Sequence, residues 1–496
     1  MNILLVYPKY PVTYWGFQYA LKFISKKASF PPLGLLTVAG MLPDDVEKRL
    51  VDLNVSTLKD TDILWADYVF ISAMVVQKES VREVLQRCQN LGVKTVAGGP
   101  LFTAEPDAFN EVDHLILNEG ELTLPLFLKD LANGNPARIY TSDQWADLAT
   151  TPNPVWNLID QKQYSTMNIQ YSRGCPFNCE FCNITSLYGR IPRTKSATQL
   201  ITELNALYDS GWRGGVFFVD DNFIGNKHKL LHEVLPALIT WMEAKQHPFA
   251  FLTETSINLA DDDELMCQMV KAGFDTVFIG IETPNEASLL ECNKVQNKNR
   301  DLIACVKKIQ HFGLQVHGGF IVGFDSDNAG IFDSLINFIQ QSGIVAAMVG
   351  LLNAPKGTGL YQRLASEGRL VEGFSGDNTD FSMNFIPKME RSLLVNGYNK
   401  IVDTIYSPQR YYERVRVFLK EYKPCKTTAI PVTFNQVLAF LKSMIRLGVF
   451  GRERVYYWRL ILWSLFKRPD VFPLAVTLSI YGFHFRKVFK KSALEI

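Results

Sequence analysis

At 496 residues the chain is too long for one hydrophobic core, and the usual domain size predicts about three domains. Its 47% hydrophobic and 20% charged residues are typical of globular proteins. No run approaches the roughly 18 uninterrupted apolar residues of a membrane-spanning helix, which excludes a protein built on membrane spans. The formal net charge of +1 conceals a basic tail, because residues 431–496 carry 11 Lys and Arg against 3 Asp and Glu.

Cysteine usage predicts a metal site in a reducing compartment. The N-terminal sequence MNILLVYPKYP lacks the charged flank and cleavage site of a signal peptide, so we expect a cytoplasmic protein. Three of the eight cysteines, Cys175, Cys179 and Cys182, lie close together, which favours a metal over a secreted disulfide framework. The remaining cysteines are scattered: Cys88, Cys267, Cys292, Cys305 and Cys425.

Residues 1–140 alternate short apolar runs with helix-like stretches such as Ser80 to Leu91. Continuous Val, Ile and Leu runs between helices are typical of a parallel sheet covered on both faces, so we predict a doubly wound, Rossmann-like α/β domain. A linker rich in Pro, Asp and Thr is predicted over residues 141–165. The predicted strands are Ile3 to Tyr7, Arg49 to Leu53, Tyr68 to Met74, Lys94 to Ala97 and His114 to Leu117.

Residues 166–372 show a second alternating series, which we predict to form a partial six-stranded β/α barrel of the TIM type. Helical patterns follow in residues 373–496, which we predict to be an α-helical C-terminal domain. The predicted barrel strands are Met167 to Ser172, Gly215 to Asp220, Phe249 to Thr255, Thr276 to Glu282, Val316 to Val322 and Ala346 to Leu352. The predicted helices include Ala197 to Asp209, Asp261 to Lys271, Asn299 to Gln310, Gln436 to Arg446 and Arg454 to Lys467.

Three clustered cysteine thiolates can hold three irons of a 4Fe-4S cube and leave the fourth iron open. An open iron can bind the amino and carboxylate groups of a substrate, whereas a cluster closed by four ligands can store electrons or stabilise the fold. A zinc site with a distant fourth ligand is the alternative, although zinc sites more often use two C-x-x-C pairs.

The spacing C-x-x-x-C-x-x-C, with Phe181 before the last cysteine, resembles the radical S-adenosylmethionine superfamily. The resemblance extends to motifs at the ends of the later predicted strands, FFVDDNFIG, TETS, GIETP, GGFIVGFDSD, in which the acid Asp327 follows a G-x-I-x-G pattern, and GLLNAPKGTGLY. It implies that these strand ends bind S-adenosylmethionine. The implied contacts are Asp220, Asp221, Asn222, Glu254, Ser256, Glu282, Gly319, Ile321 and Gly323.

The strand-end loops of residues 1–140 resemble the cobalamin-binding domain of a large subgroup of that superfamily. The sequence has no D-x-H-x-x-G motif, so the resemblance implies a cobalamin without a histidine as its lower ligand. A degenerate domain that binds nothing is the alternative. The implied cobalamin contacts are Tyr7, Pro8, Ser72, Ala73, Met74, Gly98, Gly99, Pro100, Glu119 and Gly120.

The domain order resembles the hopanoid C-2 methylase group, which implies a cobalamin-dependent radical methyltransferase. The cluster would cleave S-adenosylmethionine, and cobalamin would deliver a methyl group to an unactivated carbon of a small molecule or lipid. The resemblance implies an electron donor such as flavodoxin or ferredoxin, and we expect no nucleic acid partner. No catalytic side chain is predicted. Two alternatives remain open, a non-methylating cyclisation or rearrangement and a non-catalytic iron–sulfur or zinc protein.

The basic tail bears on the kind of substrate. Its aromatic and basic residues are compatible with peripheral contact at an anionic membrane, here the inner face. A helical domain that packs its aromatics inward and solvates its charges is an equally open interpretation. The residues concerned are Tyr456, Tyr457, Trp458, Trp463 and Phe466 with Arg452, Arg454, Arg459, Lys467 and Arg468.

Overall fold

The computed structural model describes residues 1–371, 373–377, 379–424 and 434–492. Cys425 and the parts of the predicted C-terminal domain at residues 425–433 and 493–496 lie outside the described residues. Two six-stranded parallel sheets and a helical C-terminal region make up most of the described chain. The predicted α/β fold class is therefore confirmed.

The first sheet is doubly wound and has the strand order β2-β1-β3-β4-β5-β6. In its first strand, Ile3 and Leu5 pack into one core while Leu4 and Val6 pack into another, so both faces are covered. The order changes direction between β1 and β3, where such sheets open a crevice for a ligand. The strands are β1 Asn2–Tyr7, β2 Glu47–Asp52, β3 Tyr68–Ser72, β4 Lys94–Gly98, β5 His114–Ile116 and β6 Ile139–Tyr140.

Six helices accompany these strands among the described residues of this region. The helix predicted from Ser80 to Leu91 is present with slightly different ends. Its apolar residues, including Val81, Val84 and Leu85, recur on one face and are buried against the sheet. The helices are α1 Gln18–Leu21, α2 Leu33–Met41, α3 Asp60–Trp65, α4 Lys78–Asn90, α5 Pro100–Ala104 and α6 Gly120–Ala132.

The glycine pair after β4 is required by the packing of this sheet. A Cβ atom on Gly98 would lie 2.7 Å from the carbonyl oxygen of Ile116, which belongs to the neighbouring strand. Gly99 has a φ of +92°, and a Cβ there would lie 2.6 Å from Ser72 Oγ. A side chain at either position would push apart the strand ends that border the crevice.

The second sheet is a partial barrel with the order β7-β10-β11-β12-β13-β14, and every pairing in it is parallel. It corresponds to the six predicted strands. Its strands are β7 Thr166–Ile169, β10 Gly214–Phe218, β11 Phe249–Thr255, β12 Phe274–Glu282, β13 Gln315–Val322 and β14 Ala347–Leu351, and a separate small ribbon consists of β8 Ser172–Arg173 and β9 Arg193–Thr194.

The first predicted barrel strand, Met167 to Ser172, is interrupted in the structure. The Asp220 carboxylate accepts hydrogen bonds from the backbone N–H groups of Tyr171 and Ser172, which therefore leave the sheet. Ser172 then pairs in an antiparallel ribbon with Thr194. This turn carries the cysteine loop away from the sheet and over the end of the barrel.

Side-chain caps explain why two predicted helices begin later than expected. Asp262 caps α11 by accepting from Leu265 N, and Asp301 caps α13 by accepting from Ala304 N. The helices of this region are α7 Ile184–Tyr188, α8 Ala197–Asp209, α9 Lys227–Lys229, α10 Leu235–Ala244, α11 Asp263–Lys271, α12 Glu286–Glu291, α13 Leu302–His311, α14 Ile331–Ser342 and α15 Gly359–Ser366.

Residues 11–30, here called the closing segment, bridge the two open edges of the partial barrel. Beside β7, the backbone N–H groups of Ser165 and Thr166 donate to the carbonyl oxygens of Ala28 and Ser29, both at 3.0 Å. Beside β14, Trp15 Nε1 donates to Met348 Sδ at 2.9 Å. The first domain thus completes the wall of the barrel.

The segment predicted as a linker is packed against both sheets. Ala146, Leu148 and Trp156 are buried, and short 3-10 turns replace an extended chain. Tyr164 Oη donates to the buried carboxylate of Asp52 in the first domain at 2.9 Å. These contacts fix the first domain relative to the barrel.

The C-terminal region packs its helices against the barrel helices and the closing segment. Tyr14 stacks on Phe485 with ring centroids 4.2 Å apart, and its hydroxyl contacts that of Tyr406 at 2.7 Å. Within the described parts of the chain, no helix is both long and apolar enough to cross a membrane. The helices are α16 Arg391–Ile405, α17 Pro408–Glu421, α18 Phe434–Ser443, α19 Arg454–Lys467 and α20 Phe472–Ser492.

We predict that Gly98→Ala destabilises the protein by about 1–3 kcal/mol, because its Cβ would overlap a backbone oxygen that cannot move freely. Thermal unfolding followed by circular dichroism measures the loss. Gly120→Ala is the matched control, since nothing lies within 4 Å of a Cβ at that position. Equal melting temperatures for the two variants would show that the overlap is relieved without cost.

Candidate functional site

The three clustered cysteines lie on the loop between β8 and α7, and their thiols are free and partly buried. Two amide groups approach the sulfur atoms from other loops. Asn222 Nδ2 lies 4.0 Å from Cys175 Sγ, and Gln296 Nε2 lies 3.7 Å from Cys179 Sγ. Donors of this kind stabilise the negative charge on the sulfur atoms of an iron–sulfur cluster.

A buried lysine supplies positive charge beside the thiols. Lys294 Nζ contacts Glu282 Oε1 at 2.7 Å. Burial alone would lower the pKa of Lys294, but the charges of Glu282 and Cys179 raise it, so the ammonium persists. Burial raises the pKa of Cys182 to about 12, and the charge of Lys294 opposes this rise. The lysine therefore offsets part of the charge of thiolate ligands.

The donor set fits an iron–sulfur cube. Among the described residues, no three Cys, His, Asp or Glu side chains converge closely enough to ligate a single metal ion. A cube takes one thiolate at each of several irons, so its ligands surround it without converging on one point. A cleft of about 500 Å³, lined by Cys179 and Cys182, borders this loop.

Two aspartates of the second motif hold the chain around the cysteine loop. Asp220 binds the N–H groups of Tyr171 and Ser172, as described above, and Asp221 accepts from Gly174 N at 2.9 Å. Burial raises the pKa of Asp220 to about 7 and that of Asp221 to about 6, although these hydrogen bonds oppose the rise. Both side chains therefore shape the loop that precedes Cys175.

The pKa of Glu254 is raised above those of Asp220 and Asp221, and no hydrogen bond from the described residues opposes the rise. Burial raises the pKa of Glu254 to about 8, and the charges of Asp221 and Asp220 raise it further, against the effect of Lys294. The side chain is half-buried and projects from the inner face of β11. An excess of carboxyl groups of this kind favours a cationic ligand, and S-adenosylmethionine carries both a sulfonium and an ammonium group.

Three further predicted contacts to S-adenosylmethionine, Asn222, Ser256 and Glu282, also lie near the cysteine loop. Asn222 and Ser256 meet, with Nδ2 and Oγ 3.3 Å apart, beside Cys175. Glu282 has a strained positive φ of 63° and points to Lys294. The structure thus brings these residues together with the cysteine loop.

The GGFIVGFDSD motif forms a turn that is closed by its own acid. Asp327 accepts hydrogen bonds from the N–H groups of Gly323 and Phe324 at 2.9 and 3.1 Å. Gly319 and Ile321 lie farther back on β13. Asp327 is engaged in shaping the turn that follows this strand.

Buried side-chain oxygens beside this site lack hydrogen-bond partners. Gln296 Oε1 and Asn297 Oδ1 have no partner among the described residues. Buried acceptors without partners are costly, so they are suited to groups of a bound polar ligand. This observation fits the amino acid and ribose portions of S-adenosylmethionine.

The predicted cobalamin contacts gather at the carboxyl ends of β1, β3 and β4. Tyr7 and Tyr10 share a hydrogen bond of 2.6 Å, and Tyr10 Oη also donates to Met74 Sδ at 3.3 Å. Met74 is 50% exposed and Pro8 accepts from Gln77. Ser72, Ala73, Gly98, Gly99 and Pro100 form the adjacent strand ends, which leaves an apolar surface with few side chains.

Glu119 and the helix that begins at Gly120 contact the cysteine loop directly. Arg173 Nη1 lies 2.9 Å from Glu119 Oε1, and its Nη2 lies 2.8 Å from Glu121 Oε1. Arg193 Nη1 lies 2.9 Å from Glu119 Oε2. Because the Glu119 carboxylate is buried and fully engaged, its role is to join the domains, while Gly120 starts α6.

Three residues that contact the predicted site residues were not predicted from the sequence: Arg173, Lys294 and Gln296. Arg173 directly precedes the GC of the cysteine motif, so its position was a usable signal. Lys294 and Gln296 lie in the unremarkable stretch ECNKVQN and reach the cysteines through a turn after α12. No feature of the local sequence could have identified them.

Comparison with known proteins agrees with this arrangement. Residues 24–128 match the model of the B12 binding domain, and residues 169–339 match that of the Radical SAM superfamily. Residues 358–496 match a domain of unknown function, DUF4070. The three matches follow the order of the two sheets and the C-terminal helices.

Two relatives resemble the chain over nearly its whole length. An uncharacterized methyltransferase of Synechocystis sp., sll1242, is 42% identical over 98% of this chain and 91% of its own. The hopanoid C-2 methylase of Rhodopseudomonas palustris is 33% identical over 97% of this chain and 92% of its own. The chain belongs to the family of cobalamin-dependent radical S-adenosylmethionine methyltransferases.

A solved structure shows the same fold throughout. The radical S-adenosylmethionine methyltransferase TsrM from Kitasatospora setae has a TM-score of 0.61 at 12% identity, with 99% of each chain covered. The cofactors of the family are a 4Fe-4S cluster, S-adenosylmethionine and cobalamin. The expectation of an enzyme is confirmed, and the alternative of a non-catalytic iron–sulfur or zinc protein is wrong.

We predict that the affinity of the reconstituted enzyme for S-adenosylmethionine rises with pH from about 6 to about 8, because a cationic ligand prefers ionised carboxylates. Glu254, whose pKa is raised to about 8, is largely protonated below that pH, so binding must displace its proton. The rise is at most roughly tenfold per pH unit for one group. Equilibrium binding of labelled S-adenosylmethionine at several pH values measures it.

Glu254→Gln should weaken binding at pH 8 and flatten the upper part of this profile. Glu264→Gln, which removes an exposed carboxylate on α11, is the matched control and should keep the wild-type profile. A wild-type profile in Glu254→Gln would mean that Glu254 does not face the cofactor.

Proposed function

We propose that the protein transfers a methyl group to an unactivated carbon of a polycyclic lipid. The observation that carries this proposal is the 33% identity to the hopanoid C-2 methylase, which extends over 97% of this chain and so includes the C-terminal helices. The cysteines, the acids and the cobalamin-domain residues that we assign to the cofactors would hold them at one end of the barrel. When bound, these cofactors supply a radical that removes hydrogen from carbon and a methyl group that replaces it.

The residues of the chain would act by binding and orientation. We assign the cluster to Cys175, Cys179 and Cys182, with Lys294 offsetting its charge. Glu254 would hold the cationic end of S-adenosylmethionine. Arg173 would keep the cobalamin domain against the cysteine loop, so that the two cofactors stay within reach of one carbon atom.

A cyclisation or rearrangement remains the competing outcome. A relative at 25% identity is the anaerobic magnesium-protoporphyrin IX monomethyl ester cyclase of Synechocystis sp.. Its alignment covers 63% of this chain, less than that of either methyltransferase above. The extent of the similarity therefore favours methyl transfer.

We predict that an anaerobic reaction of the reconstituted enzyme with a pentacyclic hopanoid and methyl-labelled S-adenosylmethionine yields a product heavier by one methyl group. Mass spectrometry of the extracted lipid would detect the labelled carbon, and the triple variant lacking Cys175, Cys179 and Cys182 is the negative control. A converted lipid that lacks the label would identify the non-methylating reaction instead.

The surface of α18 and α19 supports a lipid substrate. Tyr457 packs inward, as expected for a helical domain that buries its aromatic residues. Phe450 and Phe466, in contrast, are 80% and 75% exposed. Exposed basic side chains, among them Arg454 and Arg459, lie on the same helical layer. Other exposed apolar residues there are Val437, Leu441, Ile445, Val449, Val455, Leu462 and Leu465. This combination is suited to the interface of an anionic bilayer.

We predict binding to phosphatidylglycerol vesicles that weakens as salt rises, because screening reduces the attraction of the basic residues. Replacing Phe450 and Phe466 together by Ser should lower the partition coefficient roughly tenfold or more, since two apolar side chains no longer insert. Vesicle sedimentation measures both effects. Leu64→Ser, at a residue 60% exposed in the first domain, is the matched control. Absence of binding at every salt concentration would contradict a membrane contact.

A further inference from the structure

The inner face of the partial barrel borders a hollow. Along β11, Phe249, Phe251 and Thr253 are buried against the surrounding helices, whereas Leu252 and Glu254 between them are only half-buried. Strands β10 and β12 show a similar alternation, and in β13 the half-buried residues are His317 and Ile321. Since these strands lie in the middle of the sheet, the remaining exposure of their inward side chains marks an accessible space inside the barrel.

Strand register identifies the side chains that line this hollow. Glu254 of β11 pairs with Phe278 of β12, which pairs with His317 of β13, so the three are consecutive neighbours on the inner face. In the same way Phe217 of β10 pairs with Leu252. The hollow therefore begins at the acid proposed to hold S-adenosylmethionine and continues over an aromatic and aliphatic surface.

The closing segment supplies the opposite wall. The Trp15 ring lies 5.5 Å from that of Phe278, edge to face, and 5.9 Å from that of His317, nearly parallel. Phe30 approaches Phe217 with centroids 5.3 Å apart. Trp15 and Phe30 are themselves half-buried, so each presents a further surface to the hollow.

Beyond Glu254 at its mouth, the polar groups of the hollow named here, His317 and Asn168, are neutral. Burial lowers the pKa of His317 to about 4, so its imidazole is uncharged at neutral pH, and it bonds Gln315 at 2.7 Å. Asn168, which pairs with Phe217, has an Oδ1 atom without a partner. An apolar hollow with a few neutral polar groups suits a ligand that is largely hydrocarbon.

We infer that Trp15, together with Phe278 and Met348, forms the wall that binds the rigid apolar ring system of the substrate and sets its specificity. This inference rests on the proposed function, since it concerns the same reaction and names the part of the chain that holds the lipid. The closing segment begins at residue 11, shortly after Pro8 at the predicted cobalamin face, and its Trp15 contacts Phe278, which pairs with Glu254 in the sheet. A ring system held by Trp15 would therefore lie next to the S-adenosylmethionine end of the barrel.

The test is equilibrium binding of a tritiated pentacyclic triterpene hydrocarbon to the reconstituted holoenzyme in detergent. Trp15→Ala should weaken binding roughly ten- to hundredfold, because a large aromatic contact surface is lost. Trp65→Phe is the control, since Trp65 stacks on Arg49 in the first domain, 3.9 Å away. Production of 5′-deoxyadenosine without lipid should be the same in Trp65→Phe and in the wild-type enzyme, which would show that the control substitution leaves the cofactor sites intact.

If Trp15→Ala does not fold, Trp15→Phe provides the test, because it keeps an aromatic ring. We expect its affinity for the triterpene to fall several-fold. Wild-type affinity in both Trp15 variants, while the wild-type enzyme still methylates the lipid, overturns this inference alone. Failure of the wild-type enzyme to bind the triterpene overturns the proposed lipid substrate and this inference together. If a linear hydrocarbon of the same carbon number displaces the tritiated triterpene as well as the unlabelled triterpene does, the proposed specificity for ring systems is overturned.

Discussion

A buried set of ion pairs holds the first domain against the segment that carries the cysteine loop. Arg173 and Arg193 meet Glu119 and Glu121 with distances of 2.8 to 2.9 Å. Burial alone would raise the pKa of Glu121, but the hydrogen bond and charge of Arg173 hold it at about 2. Removing one partner of such a pair costs about 3–5 kcal/mol, because the other charge stays buried. The first domain and the cysteine loop therefore cannot shift independently.

Charge in the barrel mouth is arranged for cationic and electron-poor ligands. Burial raises the pKa of three carboxyl groups, those of Asp220, Asp221 and Glu254, and the charge of Asp221 adds to the rise for the other two. One ammonium group, that of Lys294, is paired with Glu282 instead. A ligand with positive charge relieves this repulsion when it binds, so affinity and protonation are coupled. In the same sheet Glu254 neighbours Phe278, so the proposed sites for S-adenosylmethionine and for hydrocarbon would share one barrel.

The strands and the cysteine loop could be predicted from the sequence, because alternating apolar runs and close cysteine spacing are local signals. Phe249 to Thr255 and Ala197 to Asp209 have the bounds that the pattern predicted. The predicted linker is instead packed, since the partners of Trp156 come from distant elements. Lys294 and Trp15 escaped prediction for the same reason: each acts through residues far away in the chain, and no spacing rule connects them.

The closing segment also constrains how the protein folds. Tyr14 bonds Tyr406, 392 residues later, and its carbonyl oxygen contacts His484, 470 residues later. During synthesis the first domain leaves the ribosome long before these partners exist. Until then, the aromatic side chains of residues 14–30 are exposed to solvent or bound by a chaperone. Long-range contacts of this kind slow folding and expose apolar surface to aggregation. Expression of the first domain alone would leave that surface permanently uncovered.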